Sequence, residues 1–334
     1  MYSRYTPYTR YFPYFLITML SRRFLRIKVM QALYAFFHSE DRSVSRHEKE
    51  MFSSFENTYN LYLYLLLLLI DIREFGRDRI AIRKVKQLPT QSDIHPNTKF
   101  VDNKIFSVLS INRQLAAETR KRNISWGEDK DAARKLFAKI ADSEEYKLYL
   151  SAEGKSFKED KKFISDIYRE IISQDEFLQH VFEEKNIHWA DDIDFVNSLV
   201  LKTIDYIPES ATDNLPLAVL YKDEKEDKKF AKELFRKVIE HSDEEEKSIQ
   251  SKTENWELDR IAFMDVLIMK LAITEFLYFP TIPVKVSLNE YIELAKQYST
   301  PKSSVFVNGI LDKLLAEFKN DGRLMKEGRG LVEN

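Results

Sequence analysis

Apolar positions between residues 256 and 318 set the frame for the whole chain. From about 259 to 278 they fall on nearly every side of a 3.6-residue helix: Ile261, Phe263, Met264, Val266, Leu267, Ile268, Leu271, Ile273, Phe276 and Leu277. A helix that is apolar all round predicts burial at the centre of a bundle. Phe279-Pro280-Thr281-Ile282-Pro283 ends it, because neither proline can donate to a continuing helix. A second helix is expected from Ser287, which with Glu290 has the spacing of a capping box. Leu288, Tyr291, Ile292, Ala295 and Tyr298 then recur at helical intervals. Ser299-Thr300-Pro301 opens a third helix, a hydroxyl cap followed by proline at the first helical position. Val307, Ile310 or Leu311, Leu314 and Phe318 form its inward stripe. Phe306, Asn308 and Gly309 face elsewhere, with Gly309 expected where helices approach closely.

Upstream, the pattern stays helical. Residues 21–38 read as an amphipathic helix capped by Ser21, with Leu25, Val29, Ala32, Leu33 and Phe36 as its buried stripe. A long helix is expected over 47–87; its run Leu61–Ile70 is ten apolar residues closed by Asp71. Spanning a membrane takes about 20 such residues, so this run is a core segment. A polar loop bracketed by Pro89 and Pro96 leads to further helices at 101–122, 129–141 and 143–151. Residues 160–189 then align without gaps to 227–256, an offset of 67, with DKKF in both and Trp189 in register with Trp256. That is the pattern of a degenerate duplication, although amphipathic helices also resemble one another.

Composition agrees with the periodicity. A chain of 334 residues with 44% hydrophobic content, 7 glycines and 9 prolines points to an all-α protein with real cores. It has no cysteine, hence no disulfide framework and no thiolate chemistry, as in a reducing cytoplasm. Residues 1–18, rich in tyrosine and interrupted by prolines, lack a signal-peptide cleavage site and read as an extension upstream of a start at Met19.

The net charge of −2 restricts any nucleic-acid site to a local patch. Residues 21–38 supply a candidate, because Arg22, Arg23, Arg26 and Lys28 precede the first acid, Glu40. Arg23, Gln31 and Tyr34 lie along one stripe, joining charge, amide and aromatic ring as single-strand readers require. An ordinary solvated face has the same charges. Metal chemistry finds no support: His47-Glu48 lacks a second histidine at the right spacing, and His180 and His188 are eight apart. Asp191, Asp192 and Asp194, and Glu244–Glu246 after Ser242, read as acids at helix starts. No phosphate-binding glycine loop and no nucleophile motif occurs.

Two stretches carry a family resemblance. LDRIAFMDVLIMKLAITEFLY, followed by IPVKVSLNEYIELAKQYSTPKSSVFVNGILDK, resembles the C-terminal pattern of the NusB family of transcription antitermination factors. Arg22, Arg23, Arg26, Gln31, Ala32, Leu33 and Tyr34 resemble the same family's N-terminal RNA-binding helix. The likeness covers about 229–315 and 21–37.

This resemblance implies an all-α, NusB-like helical bundle of two subdomains with a long helical insertion. Domains would be an extension at 1–18, a basic helix in 19–42, an insertion at 43–225 with 160–200 as a degenerate repeat, a core at 226–318 and a polar tail at 319–334. It further implies a cytoplasmic, cofactor-free, non-enzymatic protein. Such a protein pairs with the ribosomal protein NusE, binds the boxA segment of rRNA leader RNA and joins the RNA polymerase antitermination complex. Arg22, Arg23 and Arg26 would then neutralise phosphates, and Gln31 and Tyr34 would touch bases. Lys302, Phe306 and Asn308 would line the other wall, and Asp265 would face the partner protein. Phe24, Lys302 and Val284 depart from the family's usual arginine, acid and tyrosine. Two other classes remain: a NusB-fold scaffold without RNA, and an RNA methyltransferase, for which the 19 residues after Leu315 leave no catalytic domain.

Overall fold

A computed structural model describes residues 18–253 and 261–331. The expected extension falls almost wholly outside the described residues, as do Trp256 and the beginning of the apolar helix expected from 259. Among the described residues there are fifteen α-helices and no strand, only an isolated parallel bridge between Thr18 and Val219. The all-α expectation therefore holds. In chain order the helices are α1 (Arg22–His38), α2 (Val44–Lys84), α3 (Gln91–Ile94), α4 (Lys104–Ser110) and α5 (Arg113–Arg122). They continue as α6 (Lys130–Asp142), α7 (Glu144–Ser151), α8 (Phe157–Ile167), α9 (Glu176–Lys185) and α10 (Ile193–Tyr206). The last five are α11 (Glu224–Glu240), α12 (Ser242–Gln250), α13 (Phe263–Tyr278), α14 (Val284–Tyr298) and α15 (Ser303–Asn320).

Two compact units divide the chain. The first holds Glu56–Leu220 and the segment up to Met19, and the second holds Leu20–Phe55 and Tyr221–Asn334, so the boundary falls inside α2. In the first unit the apolar run is core as expected: Leu61, Tyr62, Leu63, Leu65, Leu66, Leu68 and Leu69 are buried. Several buried polar groups there find partners. Tyr62 Oη lies 2.8 Å from Thr203 Oγ1, Trp126 Nε1 donates to Tyr64 O, and Trp189 Nε1 donates to Asn57 O. The single helix expected at 101–122 is two, because Asn112 interrupts it. Its side chain accepts from Leu115 N at 2.8 Å to cap α5 and donates to Leu215 O at 2.8 Å. Within the loop bracketed by prolines, Thr90 and Asp93 form a capping box for the short α3.

The 67-residue echo also appears in the burial pattern. Asp160, Phe163, Ile164, Ile167, Tyr168, Leu178 and Phe182 are buried, and so are Asp227, Phe230, Ala231, Leu234, Phe235, Glu245 and Ile249. Both aspartates accept a backbone amide, but from different places: Asp160 takes Lys104 N at the start of α4, and Asp227 takes Lys222 N from the segment just before its own helix. The two segments differ after Tyr168, where a π-helical turn, Tyr168–Ile172, shifts burial by one residue. Ile172 is buried in the first unit, whereas Val238, not Ile239, is buried in the second.

In the second unit α13 is central, packing against α1, α11, α12, α14 and α15. Its buried residues run without a break from Leu267 to Phe276, as expected for a helix apolar all round. Toward its ends Met264, Val266 and Leu277 are only half-buried, and Phe263 is 40% exposed at the first helical position. The capping box expected at Ser287 and Glu290 is not formed. Pro283 stands at the N-cap of α14, Ser287 lies inside the helix at zero exposure, and both side chains bond elsewhere. Similarly, α15 begins at Ser303 rather than at Pro301. No close approach occurs at Gly309, where an added Cβ would meet nothing within 4 Å.

Acids expected only at helix starts also have buried roles. Asp192 accepts from Thr58 Oγ1 at 2.6 Å rather than capping α10. Glu245 in α12 is 3% exposed; its Oε1 accepts from the Thr274 hydroxyl at 2.5 Å. Burial pushes its carboxyl up to about 9 from 4.5, opposed by the Thr274 hydrogen bond and the Lys270 charge. Between those values the folded chain keeps a proton that the unfolded chain has released. Stability from this group is complete below the unfolded value and is lost as pH rises toward the folded one, at up to ~1.4 kcal/mol per pH unit. Glu245→Gln should flatten that decline in urea melts from about pH 5 to about pH 8. A variant that keeps the parental slope would show that Glu245 is not its source.

Candidate nucleic-acid interface

Helix α1 begins where its sequence says, with Ser21 Oγ accepting from Phe24 N at 3.2 Å. Far more of it is buried than one stripe: Phe24, Leu25, Arg26, Ile27, Lys28, Val29 and Met30 form an unbroken buried run. The three arginines therefore have different surroundings. Arg22 is 42% exposed, 3.7 Å from Asp227, with its guanidinium 4.5 Å from the Phe230 ring centroid. Arg23 is half exposed and donates twice to Glu290, both bonds at 2.8 Å. That bidentate bond holds the Glu290 carboxyl below its ordinary range.

Arg26 corrects the expected phosphate cluster. It is 3% exposed, with Nε and Nη2 donating to Glu275 at 2.8 and 2.6 Å. Glu275, at zero exposure, also accepts from the Ser287 hydroxyl at 2.6 Å and the Tyr291 hydroxyl at 2.9 Å. Burial and the Glu275 charge push the Tyr291 hydroxyl well up. An arginine satisfied inside the bundle offers no charge to phosphate; Lys28, 2% exposed, is likewise inside. The groove beside Arg22 and Arg23 is also balanced by acids, since Glu226, Glu233 and Glu290 line it with Lys229.

At the other end of α1 the surface changes character. Tyr34, 41% exposed, stacks on His38 with centroids 4.1 Å apart and planes at 23°. Phe263, the first residue of α13, meets Tyr34 edge-on at 5.6 Å and His38 at 4.5 Å. Sequence reasoning assigned Phe263 to the buried helix and passed over His38. The available signal was position, because the first turn of a buried helix still reaches its end. Gln31, on the same stripe as Tyr34, is half-buried and engaged with its surroundings.

Asp265, two residues on, is the second correction. It is 5% exposed and does not face outward; its Oδ2 accepts from Ser303 Oγ at 2.8 Å at the start of α15. The carboxylate is used to anchor that helix start, where negative charge is favourable. Lys270, also on α13, is 6% exposed and bonds Ser242 Oγ and Glu246 Oε2. The opening of α13 thus links the two expected walls: Phe263 touches Tyr34 of α1, and Asp265 holds Ser303, next to the exposed Lys302. Phe306 and Asn308 follow on α15, both half-buried, with Asn308 donating to Asp312 Oδ2 at 3.0 Å.

Comparison with known proteins gives a consistent result. The NusB family pattern matches residues 196–316, beginning inside the segment read as insertion. A transcription antitermination protein NusB of Salinibacter ruber is 46% identical over 103 residues, 31% of this chain and 64% of that protein. A second, from Chloroherpeton thalassium, is 48% identical over 106 residues, 32% of this chain and 50% of that protein. A third, from Methylacidiphilum infernorum, is 44% identical over 100 residues, 30% of this chain and 68% of that protein. The chain thus spans between half and about two thirds of these relatives' length. No solved structure matches it.

Arg26→Ala should cost ~3–5 kcal/mol of stability, because it strands a buried carboxylate. Urea denaturation measures this, and a loss below ~1 kcal/mol would mean that Glu275 finds another partner. Asp265→Lys should lower the melting temperature, since a second cation cannot replace the carboxylate at a buried helix start. Unchanged melting would show that the site tolerates the reversal.

Proposed function

This chain belongs to the NusB family, and from that premise we propose that it is an RNA-binding transcription antitermination factor. Its RNA would be single-stranded leader sequence of the boxA type, read jointly with the ribosomal protein NusE as part of the antitermination complex on RNA polymerase. The observation that carries the RNA part is the exposed ring cluster Tyr34–His38–Phe263 at the opening of α13. Unpaired bases present faces to stack on, and stacked rings supply the platform. Lys302 at the start of α15 supplies nearby positive charge, with Phe306 and Asn308 as the farther wall. Arg22 and Arg23 would steer phosphates from the opposite end of α1. The mechanism needs no bond to form or break: the protein orders one strand and holds its partners together.

One observation favours a second reading, a scaffold without RNA. The basic helix is largely neutralised from within, by Glu275 on Arg26, Glu290 on Arg23 and Asp227 on Arg22. A purely electrostatic RNA helix would leave those charges free. Stacking is therefore the discriminating contact. Asp265 has no place at the partner surface in this proposal, because it is buried.

Tyr34→Ala should weaken boxA binding by ~1–3 kcal/mol with little change in the slope of log affinity against log salt. Arg22→Ala should lower that slope by at most ~0.7 and act alike on all RNA sequences. Fluorescence anisotropy across a salt series reads both quantities. Wild-type behaviour in both variants would support the scaffold.

A further inference from the structure

The first unit contains a groove between α2, α6 and the start of α9 that is lined by cations and rings. Phe75 and Arg79 lie one turn apart on α2, and Arg134, Lys135 and Lys139 share a face of α6. Phe177 closes the groove, with the Lys135 ammonium 3.4 Å from its ring centroid. Arg79, Arg134, Lys135 and Lys139 are all exposed.

One carboxylate, Asp175, lines this groove, and it is already engaged. Asp175 is 4% exposed, caps α9 by accepting from Leu178 N at 2.8 Å, and takes Lys139 Nζ at 2.6 Å. Asp131 pairs with Arg134 at 3.0 Å. Arg79 and Lys135 make no ion pair among the described residues; each sits over a ring instead, Arg79 at 5.7 Å from Phe137. Two exposed cations that form no ion pair among the described residues thus lie beside two half-buried phenylalanines, Phe75 and Phe177.

We propose that this groove is a second site for single-stranded RNA, distinct from the ring cluster of the second unit. An acidic protein segment would use the charges alone and leave both rings idle. A nucleic acid strand uses both features: phosphates take Arg79 and Lys135, and a base takes the Phe177 ring. An exposed cation–π contact is weak beside base stacking, so a base can displace the Lys135 ammonium toward a phosphate. Rings that accept any base and charges that meet any phosphate make the site tolerant of sequence. The proposal extends the RNA reading above but stands on other residues, so the two fail separately.

The test uses the full chain and a labelled uridine oligomer of about 20 nucleotides, longer than the ~4–16 of a single compact site. Arg79→Gln with Lys135→Gln should lower the salt slope by about 1.4, that is about 0.7 for each phosphate lost. Phe177→Ala should weaken binding roughly 5- to 100-fold at an unchanged slope. Ultraviolet cross-linking gives a readout independent of affinity: the peptide containing Phe177 should carry uridine in the wild type and in Tyr34→Ala, but not in the double variant. If slope, affinity and cross-link all persist in the groove variants, the proposal is wrong, whatever Tyr34→Ala does. If only Tyr34→Ala binds normally while the groove variants fail, this site stands and the ring cluster does not. Loss of polyglutamate binding in the double variant, with uridine binding intact, would assign the groove to an acidic protein and overturn the RNA site.

Discussion

Charged at the centre of an apolar bundle, Glu275 would be intolerable without a partner of opposite charge and several donors. Arg26 supplies the charge and two donors in one planar fork, and Ser287 and Tyr291 supply the rest. These residues come from α13, α1 and α14, so satisfying one carboxylate fixes the mutual placement of three helices. A lysine could not do the same, since its single ammonium lacks the fork that meets both oxygens. Truncating Arg26 would leave the carboxylate without its cation, which is far more damaging than deleting an exposed pair.

That constraint also decides where a ligand can be met. With Arg26 and Lys28 turned inward and Arg23 held by Glu290, the basic helix spends most of its charge on the fold. What remains at the surface is a modest pair of arginines at one end and a group of rings at the other. The rings belong to α1 and to the first turn of α13, and the same turn carries Asp265, which anchors α15 through Ser303. Stacking geometry at the surface is therefore set by the buried packing of α13.

Buried positions of the first unit recur in the second at the offset seen in the sequence, including Asp160 and Asp227, although the amides these two accept come from different places. A π-helical turn follows Tyr168, and Asp175 after it caps α9 beside the groove lined by cations and rings.

The chain's own periodicity determined its helices and its class. The buried run from Leu267 to Phe276 and the stripe of Val307, Leu311, Leu314 and Phe318 follow from 3.6-residue spacing, and the Ser21 cap from the residue type at a helix start, all properties of the local chain. The short motifs that carry the family resemblance were equally local. Only the tertiary structure decided the state of each polar side chain. Ser287 and Glu290 have capping-box spacing, yet a capping box competes with partners brought from distant sequence, and Glu275, Arg23 and Arg26 won. Arg22, Arg23 and Arg26 are the same residue type within five positions, but two are exposed cations beside the acids Asp227 and Glu290, and one is buried against Glu275. Hydrophobic burial is encoded in spacing; the pairing of charges depends on which helices meet, and no local pattern records that.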